Sequence, residues 1–258
     1  MSTCDVHYRF DGRAGAPVLL LSNSLGSTLD MWAPQVEALA ERFRVLRYDH
    51  RGHGRSPVPP GPWRLADLGH DVLALLDRLS IQRASFCGVS LGGAVGMWVA
   101  AHAPARVGRL ALLCTAARFA PASAWAERAR TVRDHGAGAV AGAVVARWFT
   151  PGFAAREPEL VARMRAMIAS TPARGYAACC EVLEHLDLRD DLAAIGAPTL
   201  VVAGRDDPAT PPAQGRHLAE RIAGARLVVV ADAAHLANVE QAATVTALLL
   251  DHLGRKRR

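Results

Sequence analysis

The feature that most constrains this chain is a five-residue segment, Gly88-Val-Ser-Leu-Gly92, between two contrasting stretches. The preceding residues, ASFCGV, are small and apolar, as in a buried strand, and the following residues, GGAVGMWVAAHA, favour a buried helix. A strand that turns into a helix so abruptly strains the central residue and leaves space only for glycine on either side. The segment therefore predicts that Ser90 is a nucleophile at a helix N-terminus, where the helix dipole favours developing negative charge.

A glycine-rich junction between a strand and a helix also occurs in dinucleotide-binding folds, where it only permits close packing. That alternative requires the spacing G-x-G-x-x-G, which the chain does not contain. The central serine is also unexplained by close packing alone, so we favour the nucleophile.

Short apolar runs alternate with helical patterns along most of the chain. Strands are predicted at 18–21, 44–48, 84–89, 107–114, 199–203 and 226–230, and helices at 31–42, 65–79, 92–103, 213–222 and 240–253. This alternation is typical of an α/β fold, with a mostly parallel central sheet flanked by helices on both faces.

The middle of the chain differs from this pattern. It lacks strand-like runs, is rich in Ala, Arg and Glu, and is interrupted by Gly and Pro, which predicts several short helices inserted as a cap. We therefore expect a first part of the core at 1–116, a helical cap at 117–190, a second part of the core at 191–254 and a basic tail at 255–258.

Composition narrows the classes of function. The net charge is +6, but four positive charges belong to residues 255–258, and elsewhere arginines are interspersed with acidic residues. This distribution predicts no nucleic-acid partner. No apolar stretch approaches the ~20 residues of a membrane span, and the N-terminus lacks an apolar signal region, so we predict a cytoplasmic protein without a membrane role. The five cysteines show no C-x-x-C spacing and suggest neither disulfides nor a zinc site.

A serine nucleophile needs a base within hydrogen-bond reach, and an acid that orients the base. Where the serine occupies such a turn, the order along the chain is Ser, acid, His. Of the ten histidines, His235 follows the last predicted strand, on a loop at the carboxyl edge of the sheet. We therefore predict that His235 is the base. Among the other candidates, His50 and His53 belong to the upstream YDHRGHGRS turn. We expect surface groups at three further positions, which lie on predicted helical faces: His102, His217 and His252.

The acid is expected in Gly204-Arg-Asp-Asp-Pro208, directly after the predicted strand 199–203. The usual G-x-x-D spacing selects Asp207, with Asp206 as the alternative, because aspartates in such turns often bond only local backbone. The oxyanion hole requires two backbone N–H donors. We predict Leu91, directly after the nucleophile, and Leu25, in the SNSLG loop that follows the first predicted strand.

The segments SNSLG, YDHRGHGRS, GVSLGG, GRDD and AAHLANVE, in this order, resemble the α/β-hydrolase superfamily over almost the whole chain. Within it, the chain is most similar to the 3-oxoadipate enol-lactonases of the β-ketoadipate pathway for aromatic acid catabolism. Most α/β-hydrolases have His-Gly in the oxyanion loop, whereas these lactonases are similar to this chain, with Asn23-Ser24. Cap segments support the resemblance: Trp125 with Arg128, Arg147-Trp-Phe-Thr-Pro151 and Gly175-Tyr-Ala-Ala-Cys179.

The resemblance implies a serine hydrolase that opens an enol-lactone ring, with neither a metal nor an organic cofactor. Its small-molecule substrate is a lactone or ester bearing a carboxylate, which Arg128 with Trp125 is expected to bind, although Arg130, Arg133 and Arg147 are further candidates in the cap. It is compatible with a homo-oligomer. Alternatives are a carboxylesterase, a C–C bond hydrolase, a cofactor-free perhydrolase or a non-catalytic receptor with the same fold.

Overall fold

The computed structural model of the protein describes residues 3–254 and contains one seven-stranded sheet. Its strands are β1 (Tyr8–Asp11), β2 (Val18–Ser22), β3 (Arg44–Tyr48), β4 (Ala84–Val89), β5 (Val107–Leu113), β6 (Thr199–Gly204) and β7 (Arg226–Val230). They lie in the order β1-β3-β2-β4-β5-β6-β7, and only the pairing of β1 with β3 is antiparallel. The prediction of a mostly parallel sheet is confirmed.

Helices cover both faces of the sheet and form the insertion between β5 and β6. The core helices are α1 (Ala33–Ala40), α2 (Leu65–Arg78), α3 (Leu91–His102), α9 (Pro212–Arg221), α10 (Ala237–Glu240) and α11 (Ala242–Gly254). Those of the insertion are α4 (Ala122–His135), α5 (Gly138–Trp148), α6 (Pro151–Arg156), α7 (Pro158–Ala169) and α8 (Ala173–His185). Short 3₁₀ helices occur at Leu29–Trp32, Pro104–Arg106 and Leu192–Ala194.

The central strands owe their apolar sequences to burial on both faces of the sheet. Successive side chains of a strand point to opposite faces, yet Leu19, Leu20 and Leu21 are all completely buried. A strand with one solvated face would instead alternate apolar and polar residues. This is why the core strands were predictable as continuous apolar runs.

Two elements and one side chain differ from the sequence predictions. The edge strand β1 was not predicted, because its four residues YRFD are short and only partly buried. The helix predicted at 31–42 begins at Ala33, since Pro34 in the first turn lacks an N–H and favours a helix start. His252 was expected on the surface, which is wrong: it is buried, with Nε2 3.0 Å from the carbonyl oxygen of Leu110 on β5.

The strand order creates a crevice at the carboxyl edge of the sheet. The chain proceeds from β2 to β3 on one side, and then crosses to β4 on the other side of β2. Ligands of open parallel sheets bind where the strand order reverses in this way. In the register of β2 with β4, Ser22 pairs with Gly88, so the segments that follow these two strands begin at the same level.

The predicted helical insertion is present between β5 and β6, where α4 packs against α8 and α5 against α7. The domain limits at 116 and 190 stay a prediction, and the basic tail at 255–258 lies outside the described residues. Among residues 3–254, no helix is both long enough and apolar enough to span a membrane.

Candidate active site

Ser90 occupies a strained position between β4 and α3. Its backbone has φ 55° and ψ −117°, a conformation that residues other than glycine rarely adopt. Hydrogen bonds hold it there: its N–H donates to the carbonyl of Leu113 at 3.0 Å, and its carbonyl accepts from Ala94 N at 3.0 Å and Thr115 Oγ1 at 2.7 Å. None of these bonds involves the Ser90 hydroxyl.

The two glycines that flank Ser90 by two residues are required for steric reasons. A Cβ atom at Gly88 would lie 2.2 Å from the carbonyl oxygen of Gly92, and one at Gly92 would lie 2.2 Å from that of Ser22. Both distances are far shorter than van der Waals contact. Because position 92 has no side chain, the first turn of α3 can lie directly against the end of β2, where Gly92 N donates to Asn23 O at 2.9 Å.

Asp207 and His235 form a buried pair on the loops after β6 and β7. The distance from His235 Nδ1 to Asp207 Oδ2 is 2.9 Å, and both residues are at most 4% exposed. The carboxylate also accepts hydrogen bonds from its own turn: Ala209 N at 2.8 Å, Thr210 N at 3.0 Å and Thr210 Oγ1 at 2.6 Å. Asp206 is exposed, so the structure brings Asp207, and not its neighbour, to His235.

The surroundings of Asp207 keep its carboxyl group ionised. Burial by itself raises the pKa of Asp207, but the charge of His235 and the hydrogen bonds from His235 and Thr210 outweigh it and lower that pKa to about 2. An ionised carboxylate opposite Nδ1 favours a proton on that nitrogen, which leaves Nε2 of His235 unprotonated to act as a base.

Ser90 and His235 line one cavity of about 210 Å³ beneath the cap. This volume is below the roughly 300–1,000 Å³ of pockets for drug-sized ligands, so it fits a small-ring compound. The cavity is lined by Ser24, Leu25, Ser90, Phe119, Ala120, Pro121, Ala124, Trp125, Arg128, Val144, Arg147, Trp148, Tyr176, Pro208, Ala209 and His235.

Two backbone amides beside the serine have the character expected of an oxyanion hole. Within residues 3–254, the N–H groups of Leu25 and Leu91 donate to no backbone carbonyl. The amides next to them are engaged, since Gly26 N donates to His53 Nε2 at 3.0 Å and Gly92 N to Asn23 O at 2.9 Å. Leu25 lines the cavity, whereas Leu91 lies directly behind Ser90 at the start of α3.

The cap contributes two guanidinium groups to the cavity wall. Arg128 stacks over the Trp125 ring, with its Cζ 4.5 Å from the ring centroid. The Trp125 N–H donates to the carbonyl of Phe119 at 3.1 Å, so this residue presents its ring rather than a donor. Arg147 is half-buried, and burial together with the charge of Arg128 lowers its pKa. Within the described residues, neither arginine forms an ion pair with a carboxylate.

The structure thus separates the four cap arginines that the sequence left open. Arg128 and Arg147 line the cavity, together with the predicted Trp125. Arg130 is exposed, and Arg133 forms an ion pair with Glu181 on the surface.

Glu240 is a polar residue beside the site, and the sequence did not indicate that it contacts both the cap and the loop of His235. Its Oε1 accepts from Thr150 N at 3.0 Å and from the Thr150 hydroxyl, and its Oε2 accepts from Ala234 N at 2.8 Å. These bonds connect the loop of His235 to the cap. Glu240 belongs to the motif AAHLANVE, but nothing in that spacing points to a contact with Thr150, ninety positions away.

The lining residues, rather than the volumes of the cavities, place the candidate site beside Ser90. A larger groove, of about 520 Å³, runs along the start of α2 and the ends of α3 and α8. None of the predicted site residues lines this groove. In the part of the chain that the structure describes, no group of three His, Cys, Asp or Glu residues could hold a metal ion.

The strand order and the strained serine turn together define the class of protein, an α/β hydrolase. Residues 17–242 match the family described as alpha/beta hydrolase fold. The chain is 44% identical to 3-oxoadipate enol-lactonase 2 of Acinetobacter baylyi, over 92% of this chain and 88% of the relative. It is 38% identical to 3-oxoadipate enol-lactonase 1 of the same organism, over 90% of this chain and 87% of that relative.

A solved structure gives the same result. The enol-lactonase from Burkholderia xenovorans LB400 superposes with a TM-score of 0.96 at 47% identity, covering 98% of this chain and 97% of that chain. The protein therefore belongs to the α/β-hydrolase family and, within it, to the 3-oxoadipate enol-lactonases. The family predicted from the sequence motifs is confirmed.

Proposed function

We propose that this protein hydrolyses the ring ester of 3-oxoadipate enol-lactone to 3-oxoadipate, with Ser90 as nucleophile, His235 as base and Asp207 as orienting acid. One observation carries the proposal: Ser90 and His235, whose Nδ1 is paired with Asp207, line a small cavity whose cap wall holds two guanidinium groups. A compact lactone with a carboxylate matches both features of this cavity. The names of the two relatives and of the solved structure support the same substrate.

The first half of the reaction opens the ring. His235 Nε2 takes the proton of the Ser90 hydroxyl as its oxygen bonds to the ester carbonyl carbon. The N–H groups of Leu25 and Leu91 stabilise the resulting oxyanion, aided by the N-terminal dipole of α3. The bond from the acyl carbon to the enol oxygen then breaks, and His235 returns the proton to that oxygen. The enol tautomerises to the ketone while the acyl group stays on Ser90.

The second half releases the product. Water gives a proton to His235 Nε2 and bonds to the acyl carbon, and the same amides stabilise the second oxyanion. The bond to Ser90 oxygen breaks and that oxygen regains its proton from His235, so the dicarboxylate leaves and the enzyme is restored. Asp207 remains ionised and stabilises the imidazolium in both halves.

Arg128 is expected to bind the substrate carboxylate, so Arg128→Gln should raise KM for the lactone. Losing one hydrogen bond to a charged group costs about 1.5–3 kcal/mol, equivalent to roughly tenfold to hundredfold in KM. The measurement is the KM of wild type and variant with the enol-lactone and with p-nitrophenyl acetate, whose KM should stay the same. Arg130→Gln, an exposed position on the same helix, is the matched control and should match wild type with both substrates. Equal KM values for Arg128→Gln and wild type would contradict this role.

A spectrophotometric comparison of substrates tests the proposed function itself. We expect the wild-type protein to hydrolyse the enol-lactone with a kcat/KM at least roughly tenfold above that for p-nitrophenyl acetate, because the neutral ester forms no bonds to the arginines. A vinylogous diketone, the substrate type of C–C bond hydrolases, should not be cleaved.

The other candidate functions are distinguished by the same experiment. Turnover of simple esters without turnover of the enol-lactone would point to a carboxylesterase and overturn the proposal. Failure of a fluorophosphonate to label Ser90 would favour a non-catalytic receptor. The cytoplasmic location, the absence of nucleic-acid and membrane partners and a homo-oligomer stay predictions.

A further inference from the structure

Tyr176, on α8 of the cap, lies against the loop that carries the first oxyanion amide. Its side chain is completely buried, and a Cβ atom placed on Gly26 would lie only 2.7 Å from Tyr176 Cε2. On its other side the ring faces His53, with the ring centroids 6.5 Å apart. The position of the aromatic ring is therefore determined by tight packing that a phenylalanine would make equally well.

The hydroxyl group of Tyr176 is not explained by this packing. Its Oη atom is buried, and within residues 3–254 it forms no hydrogen bond to a group that could accept its proton. Burying a hydroxyl without a partner costs free energy, which phenylalanine would avoid. Among the described residues, three others have a buried side-chain polar atom that meets no hydrogen-bond partner, and none of them lines the cavity: His70, His217 and Asn238. Tyr176 alone among these four borders the space that Ser90 and His235 share.

The charges around this hydroxyl indicate which kind of acceptor suits its proton. Arg128 acts on it as a nearby hydrogen-bond donor as well as through its charge, Arg147 acts on it through its charge, and both border the same cavity. Guanidinium groups only donate hydrogen bonds, so they cannot accept the phenolic proton. Burial raises the pKa of Tyr176 well above its usual range, so the group keeps that proton at working pH. The missing partner is therefore an acceptor that enters the cavity from outside, and the two cations favour an anion.

We propose that the Tyr176 hydroxyl donates a hydrogen bond to a carboxylate oxygen of the substrate, completing a three-donor subsite with Arg128 and Arg147. The inference deepens the proposed function and relies on it only for the carboxylate. Since the Tyr176 ring also packs on Gly26, next to Leu25, the subsite holds the carboxylate at a defined position relative to the oxyanion amides. Substrates with a carboxylate near the ring are thereby selected over neutral esters.

The variant Tyr176→Phe separates this role from a structural one. We expect KM for the enol-lactone to rise roughly tenfold, with kcat within about threefold and KM for p-nitrophenyl acetate unchanged. The melting temperature should stay the same or rise, because the variant removes a buried hydroxyl without a partner. The matched comparison is Tyr48→Phe, whose buried hydroxyl is 2.8 Å from Ser22 Oγ. Its melting temperature should fall.

The carboxylate subsite can also be tested by binding a dicarboxylate that the enzyme does not hydrolyse, so that the result does not depend on the reaction. Calorimetric titration with adipate, a stable dicarboxylate, should give a Kd roughly tenfold weaker for Tyr176→Phe than for wild type, whereas neutral adipamide should show no such difference. Weaker adipate binding by the variant, in a protein that does not open the lactone, would support the subsite and contradict the proposed function. Unchanged adipate binding and KM would overturn the subsite while leaving the lactonase intact. A lower melting temperature with unchanged KM would assign the hydroxyl a structural role and also overturn it.

Discussion

Replacing Ser90 by Ala is expected to lower kcat for the enol-lactone by a factor on the order of 10⁵–10⁶, the range found when a serine hydrolase loses its nucleophile. The variant retains the oxyanion amides and the cavity but can form no acyl-enzyme. The measurement is kcat at saturating lactone, with enzyme at high concentration so that residual turnover is detectable. Labelling by a fluorophosphonate should disappear in parallel.

The fold provides a control for this variant. The hydrogen bonds that hold the Ser90 turn use its backbone N–H and carbonyl, which alanine retains. The melting temperature of Ser90→Ala should therefore agree with that of wild type to within about 2 °C. Turnover within tenfold of wild type in a normally folded variant would show that Ser90 is not the nucleophile.

The variant Asp207→Asn should lower kcat about 10⁴-fold, whereas Asp206→Asn should change it by less than about threefold. An amide can donate to His235 Nδ1, which favours the tautomer with the proton on Nε2, and that tautomer cannot accept the serine proton. Asp206 is exposed and its side chain has no part in the pair of Asp207 with His235. The two variants are matched in chemistry and adjacent in sequence, and kcat with the enol-lactone distinguishes them.

Stability must be measured beside activity in this comparison. Asp207 also accepts hydrogen bonds from the backbone of Ala209 and from Thr210, so its replacement can loosen the turn as well as the histidine. A loss of activity in a variant whose melting temperature is within a few degrees of wild type supports the assigned role. The reverse order of effects, with Asp206→Asn the more damaging, would show that the assignment of the acid is wrong.

The strained turn at Ser90 was predictable because its signal is local. The steric limits at Gly88 and Gly92 and the strained dihedrals of Ser90 arise within one strand-to-helix turn. His235 was predictable for a related reason: in a parallel sheet, loops after strands meet at the carboxyl edge. The edge strand β1 escaped prediction because its short, half-buried sequence has no comparable local signal.

The G-x-x-D spacing selected Asp207 and left Asp206 as the alternative, and the structure shows which of the two carboxylates lies against His235. Adjacent residues in a turn point in different directions, and the direction depends on how the turn is anchored. Here Asp206 N donates to the carbonyl of Ala233, on the loop of His235, at 2.9 Å. That contact joins segments nearly thirty residues apart and leaves the Asp207 side chain directed inward.

The sequence by itself determined the α/β class, the serine turn, the loop that carries the histidine and the resemblance to enol-lactonases, because these depend on short-range patterns. Only the tertiary structure decided which cap arginines face the cavity and that no described residue accepts the proton of the Tyr176 hydroxyl there. The rotation of each cap helix is set by its packing against other helices, as for α4 against α8. Helical periodicity shows which residues share a face, but not what that face meets. At Ser90 the turn predicted the nucleophile, and only the folded cap showed which side chains share its cavity.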